Sequence, residues 1–162
     1  MAIEIRAAGA ADFEGIWPIF RAVVRAGETY VFDPETDAGA AREIWLSPGV
    51  ATFVALAGER VVGTYILKAN QPGLGDHVAN AAFMVAPACR GQGIGRAMGE
   101  HALRTAREMG FRAMQFNMVI ATNTGAVGLW KSLGFEIVGT LPEMFRHRTE
   151  GLVDAYVMYR KL

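Results

Sequence analysis

The sequence predicts an α+β, or mixed α/β, domain built around one central sheet. Three observations carry this. Apolar residues recur with a period near two in some stretches and near 3.6 in others, and the two patterns alternate along the chain. A strand-like stretch runs straight through a glycine-rich turn into a helical one between Phe83 and Met98, reading F-M-V-A-P-A-C-R-G-Q-G-I-G-R-A-M. The 162 residues contain no repeat, low-complexity segment or internal linker, so one domain spanning residues 1–162 is expected.

Taken in order, Ile3 and Ile5 alternate with Glu4 and Arg6, which predicts a short first strand. Asp12 is placed to cap a helix whose apolar face holds Phe13, Ile16, Trp17, Phe20, Val23 and Val24. Pro18 either kinks that helix or marks its first turn, and Gly27 ends it. Gly27 to Asp37 reads as a loop too short and too polar for core, with Tyr30 and Phe32 among carboxylates. A second helix is expected from Ala38 to Leu46, closed by Ser47-Pro48-Gly49.

Phe53, Val54 and Leu56 fall in a strand, Gly58-Glu59 in a turn, and Val61 to Leu67 in the returning strand. After a loop from Asn70 to Asp76, Val78 to Val85 alternates two faces: Asn80, Ala82 and Met84 on one, Ala79, Ala81, Phe83 and Val85 on the other. A helix from Ile94 to about Met109 stops at Gly110. The next strand, Arg112 to Ile120, is expected to set Met114, Phe116 and Met118 against Gln115, Asn117 and Val119. Thr122 or Asn123 caps a helix to about Leu133, ended by Gly134. Strands at Phe135–Leu141 and Leu152–Tyr159 close the chain, joined by a loop from Pro142 to Gly151 that carries Arg146, His147 and Arg148. The order is strand, two helices, three strands, helix, strand, helix, two strands.

The formal net charge is zero, which argues against a nucleic-acid binder but not against a small anionic ligand. The single cysteine, Cys89, rules out an intramolecular disulfide and a cysteine-based zinc cage. Three scattered histidines, His77, His101 and His147, do not make a metal site, so no metal is expected. The first residues, M-A-I-E-I-R, lack the basic and apolar regions of a signal peptide, and no apolar run approaches the roughly 18 residues of a membrane span. A cytoplasmic protein that binds no membrane is the expectation.

The stretch that carries chemistry is the glycine turn. Gly91, Gly93 and Gly95 alternate just before a helix N-terminus, where backbone N–H groups and the helix dipole favour an anion. Arg90 and Arg96 flank it with donors suited to phosphate. The register lacks the third glycine of a dinucleotide fingerprint and the Lys-Ser/Thr of a P-loop.

Arg90-Gly91-Gln92-Gly93-Ile94-Gly95 resembles the pyrophosphate loop (Arg/Gln-x-x-Gly-x-Gly/Ala) of the GNAT superfamily of N-acetyltransferases. Asn123-Thr124-Gly125-Ala126-Val127-Gly128-Leu129-Trp130-Lys131-Ser132-Leu133-Gly134-Phe135 is similar to that family's second signature, N-x-x-A-x-x-L-Y-x-x-x-G-F. The resemblance covers Val50 to Leu162 well and the first two helices loosely. It implies a single GNAT-like domain whose mixed, mostly antiparallel sheet of about seven strands is flanked by four helices. It also implies acetyl-CoA as co-substrate, held by Arg90, Gly91, Gln92, Gly93, Ile94, Gly95 and Arg96, with Asn123 and Trp130 at the second motif. A backbone N–H near Met84 or Val85 is the family's expected oxyanion donor. A homodimer, frequent in the family, is expected too.

One departure stands out. Trp130 occupies the place of a tyrosine that often protonates the departing thiolate in the family, and an indole N–H has no such chemistry. H-V-A-N-A-A-F-M-V, R-G-Q-G-I-G and F-N-M-V-I-A-T-N look like the fungal acetyltransferases that act on azetidine-2-carboxylate and proline-related compounds. Asparagines handle the substrate there, and the matching positions are Asn80, Asn117 and Asn123. Glu28 is the carboxylate chosen as base, with His77 the other candidate. The expected reaction is N-acetylation of a small amine, an amino acid or proline analogue, by direct attack on the thioester. Two alternatives stay open: a non-catalytic acyl-CoA sensing module, and a protein N-acetyltransferase.

Bland readings stand beside these. Asn123 serves equally as a helix cap, Trp130 as half core and half pocket wall, and Asn80 and Asn117 as strand residues satisfied locally. Glu28 and Tyr30 could be ordinary surface-loop residues, and Cys89 is inert without a base beside it.

Overall fold

A computed structural model of the protein describes residues 2–162. The strands are β1 (Glu4–Ala7), β2 (Ala51–Ala57), β3 (Arg60–Ala69), β4 (Val78–Val85), β5 (Ala113–Ile120), β6 (Glu136–His147) and β7 (Gly151–Lys161). The helices are α1 (Phe13–Ala26), α2 (Ala38–Trp45), α3 (Ile94–Glu108) and α4 (Thr124–Ser132). All seven strands join one sheet in the order β1-β2-β3-β4-β5-β7-β6. Neighbours run antiparallel except β4 and β5, which are parallel.

Each face of the sheet is buried under helices. On one, α1 and α2 press Ile16, Phe20, Val24 and Trp45 onto Val54, Ile66 and Met84. Ile16, Phe20 and Val24 recur every fourth residue and are almost fully buried, which at about 1.5–3 kcal/mol each anchors α1. Trp45 brings a polar atom into this layer, and its Nε1 donates to the buried Thr64 hydroxyl at 2.9 Å. On the other face, α3 and α4 cover Tyr65, Leu67, Ala79, Ala81, Met114 and Phe116.

Four details differ from the sequence-based expectations. Asp12 does not cap α1: its carboxylate takes both Arg6 guanidinium donors, at 2.8 and 2.9 Å, and the Gly9 N–H at 2.7 Å. The Arg6 bonds in particular hold its pKa below the ordinary carboxylate value. Pro18 neither breaks α1 nor starts it; the helix runs through it. In β5 the faces do not alternate to the end. The pairing with β7 shifts between Phe116 and Val119, so Val119 joins the α3-side core while Met118 packs with Ile120 and Phe145. The Pro142–Gly151 loop is mostly strand: β6 continues to His147 past an irregularity between Leu141 and Phe145, where Glu143 takes a positive φ of 51°.

The polar Gly27–Asp37 segment stays outside the core as expected, with none of its residues fully buried. Tyr30 and Phe32 stack at 5.9 Å and pack against the α1–α2 core, so two aromatics nail an otherwise charged loop to the sheet.

Candidate active site

The site begins where the sheet forks. β4 and β5 pair only at Val78–Ala113 and Ala79–Met114, although both strands continue well beyond. At the fork the Asn80 side chain replaces a ladder bond, its Nδ2 donating to the Gln115 carbonyl at 3.0 Å. Past that point one edge of β4 has no strand beside it. His77 O accepts from Arg112 N, whereas Val78 O and Ala86 N bond back to β3 residues or their flank. With a period of two, the Phe83 and Val85 peptides therefore face the gap, and the Met84 N–H is turned toward β3. The sequence reading named Met84 or Val85; Met84's peptide is aimed the wrong way, and its buried side chain belongs to the α1-side core.

Aromatic packing spans the fork underneath. Phe83 and Phe116, one from each diverging strand, lie 6.1 Å apart, and Trp130 packs on them at 4.8 and 4.6 Å. Trp130 is thus a wedge between strands as well as a wall of the cleft.

Beyond the fork lies a cleft of about 840 Å³. At one end is the glycine turn. Gly91 and Gly93 have φ of 75° and 79°, and the space where a Cβ would project is open at both. Gly93 caps α3 without a side-chain acceptor, so the first N–H groups of the helix have no capping side chain. Arg90 and Arg96 line this end; Arg96 also donates to Ser132 at 2.6 Å, tying α3 to α4. Ile94 contributes main chain only, since its side chain is core. Gln92 does not line the cleft; its amide reaches back toward Ala88 O at 3.4 Å. Left-handed glycines with open space above them, uncapped helix N–H groups and two guanidiniums fit a pyrophosphate.

On the α4 side, Asn123 is the N-cap, its Oδ1 accepting from Ala126 N at 3.3 Å, and it lines the cleft as well. Cap and cleft residue coincide.

The opposite end is assembled from three separate segments. Glu28, Thr29, Tyr30 and Val31 come from the loop after α1, Asn117 and Met118 from the irregular stretch of β5, and His147 from the β6–β7 hairpin. The hairpin is tied to the loop by Arg148 N donating to Gly27 O at 2.9 Å. Asn117 is already engaged: its Oδ1 accepts from Gln115 at 2.9 Å and its Nδ2 donates to Asn70 at 2.8 Å. His77 and His101 lie away from this cleft. His101 instead shares a hydrogen bond of 2.7 Å with the Tyr65 hydroxyl, and burial lowers its pKa.

Two residues at this end escaped the sequence reading. His147 lines the cleft with its Nδ1 accepting from the N–H groups of Thr149 and Glu150, both at 3.2 Å, which leaves Nε2 as the ring's uncommitted nitrogen. Tyr30, which a bland reading leaves as an ordinary surface-loop residue, is half-buried, with its hydroxyl in the fork. It donates to Phe83 O at 2.7 Å and accepts from Phe83 N at 2.9 Å. Burial pushes its pKa well up. Two aromatics in a short polar loop were the available signal.

The sequence model of the acetyltransferase (GNAT) family matches residues 16–135. The chain belongs to this family. It is 36% identical over 112 residues to the N-acetyltransferase aca1 of Schizosaccharomyces pombe, a match covering 68% of this chain and 54% of the relative. The chain thus spans about half the length of that curated relative. Among solved structures, a GCN5-related N-acetyltransferase from Kribbella flavida is similar at 48% identity and a TM-score of 0.95, over 99% of this chain and 98% of the other. A phosphinothricin acetyltransferase of the GNAT superfamily from Sinorhizobium meliloti, solved in complex with acetyl-CoA, shares the fold at a TM-score of 0.88 and 24% identity, over 100% and 89%. The co-substrate of this family is acetyl-CoA. No His/Cys/Asp/Glu group suited to a metal occurs among the described residues, and no described helix is long and apolar enough to cross a membrane.

Proposed function

We propose that the protein is an acetyl-CoA-dependent N-acetyltransferase acting on a small amine, an amino acid or proline analogue. The observation that carries this reading is the continuity of one cleft, from the glycine turn, along the fork, to the chamber at Glu28 and His147. An anion site alone would suit many nucleotides. An anion site opening onto the free edge of a strand suits a long thioester-bearing arm.

In this reading the N–H groups of the turn, Arg90 and Arg96 bind the pyrophosphate. The gap-facing Val85 peptide aligns the arm by strand-like hydrogen bonds. Glu28 receives the proton of the attacking amine. Its position between two anchors, Gly27 O accepting from Arg148 N of the hairpin and the Tyr30 hydroxyl bound in the fork, holds it at the chamber's edge. A secondary cyclic amine, more basic than an α-amino group of pKa roughly 8, needs such a base near neutral pH. Asn80 keeps its Oδ1 for an acceptor N–H while Nδ2 bridges the fork, and Asn117 stiffens the chamber wall. Trp130 supplies an apolar wall and no proton. A thiol of pKa roughly 8.5 is a tolerable leaving group without one.

The same reading places the enzyme in the cytoplasm as a homodimer. Val138 and Met144 on the edge strand β6 and Leu152 on β7 are exposed apolar side chains available to a second copy. Incubating the protein with acetyl-CoA and a panel of amino acids, cyclic imino acids and simple amines, and following thiol release, tests the function. Saturable release that needs both protein and amine is expected. Tight acetyl-CoA binding without release on any amine would instead favour a sensing module.

A further inference from the structure

The Tyr30 hydroxyl binds one peptide of the fork through both of its polar atoms, and the reading above gives it only an anchoring task. Its ring is half-buried, stacked on Phe32 and packed against the α1–α2 core. Its hydroxyl lies at the unpaired edge of β4 and binds both polar atoms of one peptide, Phe83. A capping role needs no such investment, because the cleft is open and water could satisfy the same N–H and C=O. The chain sets a stacked, half-buried aromatic behind the hydroxyl at that spot.

The arrangement is asymmetric in a useful way. The Phe83 N–H donates into the phenol oxygen, and this polarises the O–H and makes it a stronger donor. The O–H rotor, now turned to Phe83 O, can turn to another acceptor without moving the ring. Trp130 on the facing helix offers no hydroxyl, so the phenol in the fork comes from the opposite side of the cleft.

We propose that Tyr30 is a catalytic oxyanion donor: its hydroxyl, backed by the Phe83 N–H, binds the thioester carbonyl oxygen and holds the negative charge that gathers there during transfer. This rests on the acetyltransferase reading of the same cleft. As the amine lone pair forms the C–N bond, the C=O pair moves onto oxygen, where the Tyr30 O–H meets it. The pair returns as the C–S bond breaks, the sulfur leaves with its bonding electrons, and the amine proton passes to Glu28 and then solvent. Tyr30 loses no proton. Its raised pKa agrees with a phenol that stays protonated throughout.

The test uses the full chain and its Tyr30→Phe variant with acetyl-CoA carrying a labelled thioester carbonyl. Isotope-edited infrared spectra of the bound ligand report the hydrogen bonding at that oxygen. The wild type is expected to lower the carbonyl stretch relative to free acetyl-CoA, and the variant to lose most of that shift. Affinity for acetyl-CoA should stay within a few-fold, while kcat falls about 10²-fold, as for removal of one oxyanion donor. An unchanged carbonyl frequency in the variant, with kcat within a few-fold of wild type, overturns the proposal alone. A wild type that binds no acetyl-CoA overturns the acetyltransferase reading and the proposal with it.

Should the variant not fold, the wild type labelled with carbon-13 at tyrosine Cζ gives a second reading. One of the four tyrosine resonances is expected to move with acetyl-CoA but not with CoA lacking the acetyl group. Equal responses to the two ligands overturn the assignment.

Discussion

At the Arg90–Arg96 end the cleft comes from a few consecutive residues; at the Glu28–His147 end it is made of side chains from segments far apart in the chain. Left-handed Gly91 and Gly93, the uncapped start of α3 and the two flanking guanidiniums form the first end from one short run of chain. The second exists only because the loop after α1, the irregular stretch of β5 and the β6–β7 hairpin meet, pinned by the Arg148–Gly27 and Tyr30–Phe83 bonds. A ligand common to a whole family can be held by backbone geometry. A ligand that distinguishes one enzyme from another must be read by side chains.

The comparison can be broken at either end. The largest effect is expected for Glu28→Gln, which should lower kcat with a basic amine by about 10²–10⁴-fold, the usual contribution of a positioned base, and leave the dissociation constant of acetyl-CoA alone. Steady-state rates together with calorimetric titration check both halves; a loss of acetyl-CoA affinity instead would erase the distinction between the ends. Trp130→Ala should cost about 4 kcal/mol of folding stability by emptying the wedge between Phe83 and Phe116, measured by denaturant unfolding. Trp130→Phe, which keeps the packing, should retain near-normal turnover, since the indole moves no proton.

At the other end, Gly93→Val forces a branched side chain into a left-handed backbone and misaims the first N–H groups of α3. Losing about one charge-assisted hydrogen bond weakens acetyl-CoA binding by roughly 10- to 100-fold. Here kcat at saturating acetyl-CoA should change little, the mirror image of Glu28→Gln.

The smallest effect lies outside the cleft. His101 has a lowered pKa in the fold, chiefly through burial and then through Arg104. The unfolded chain therefore binds this proton first, near pH 6.5, and stability should fall as pH drops below that value toward the lower folded pKa. Thermal midpoints from pH 8 to 5 are expected to decline by a few degrees over that window. His101→Gln should flatten this part of the profile.

Legibility in the sequence follows the same division. The order of all the elements, the bounds of β4, the start of α3 and the Asn123 cap follow from local patterns, because each depends on neighbours in the chain. The fork itself is not local: β4 and β5 part because of how far their pairing extends, and nothing in Val78–Val85 alone says so. Met84 stands beside Val85 as an expected donor in the sequence, yet its N–H faces β3, because the direction of a peptide depends on register with that strand. Val119 and Met118 exchanged faces because of an irregularity against β7, a strand far downstream. Tyr30 and His147 were passed over since each gains its role only from a partner distant in sequence. Gln92, drawn in by its place inside the motif, points away because the turn needs only its backbone.

In the proposed function one ligand joins the two ends through the fork, and a crystal structure of the protein with CoA tests this. The pyrophosphate is expected on the N–H groups of the 91–95 turn, and the sulfur in the gap between β4 and β5, beside Phe83 and Trp130. CoA bound with its phosphates elsewhere, or with its arm outside the fork, would contradict the account.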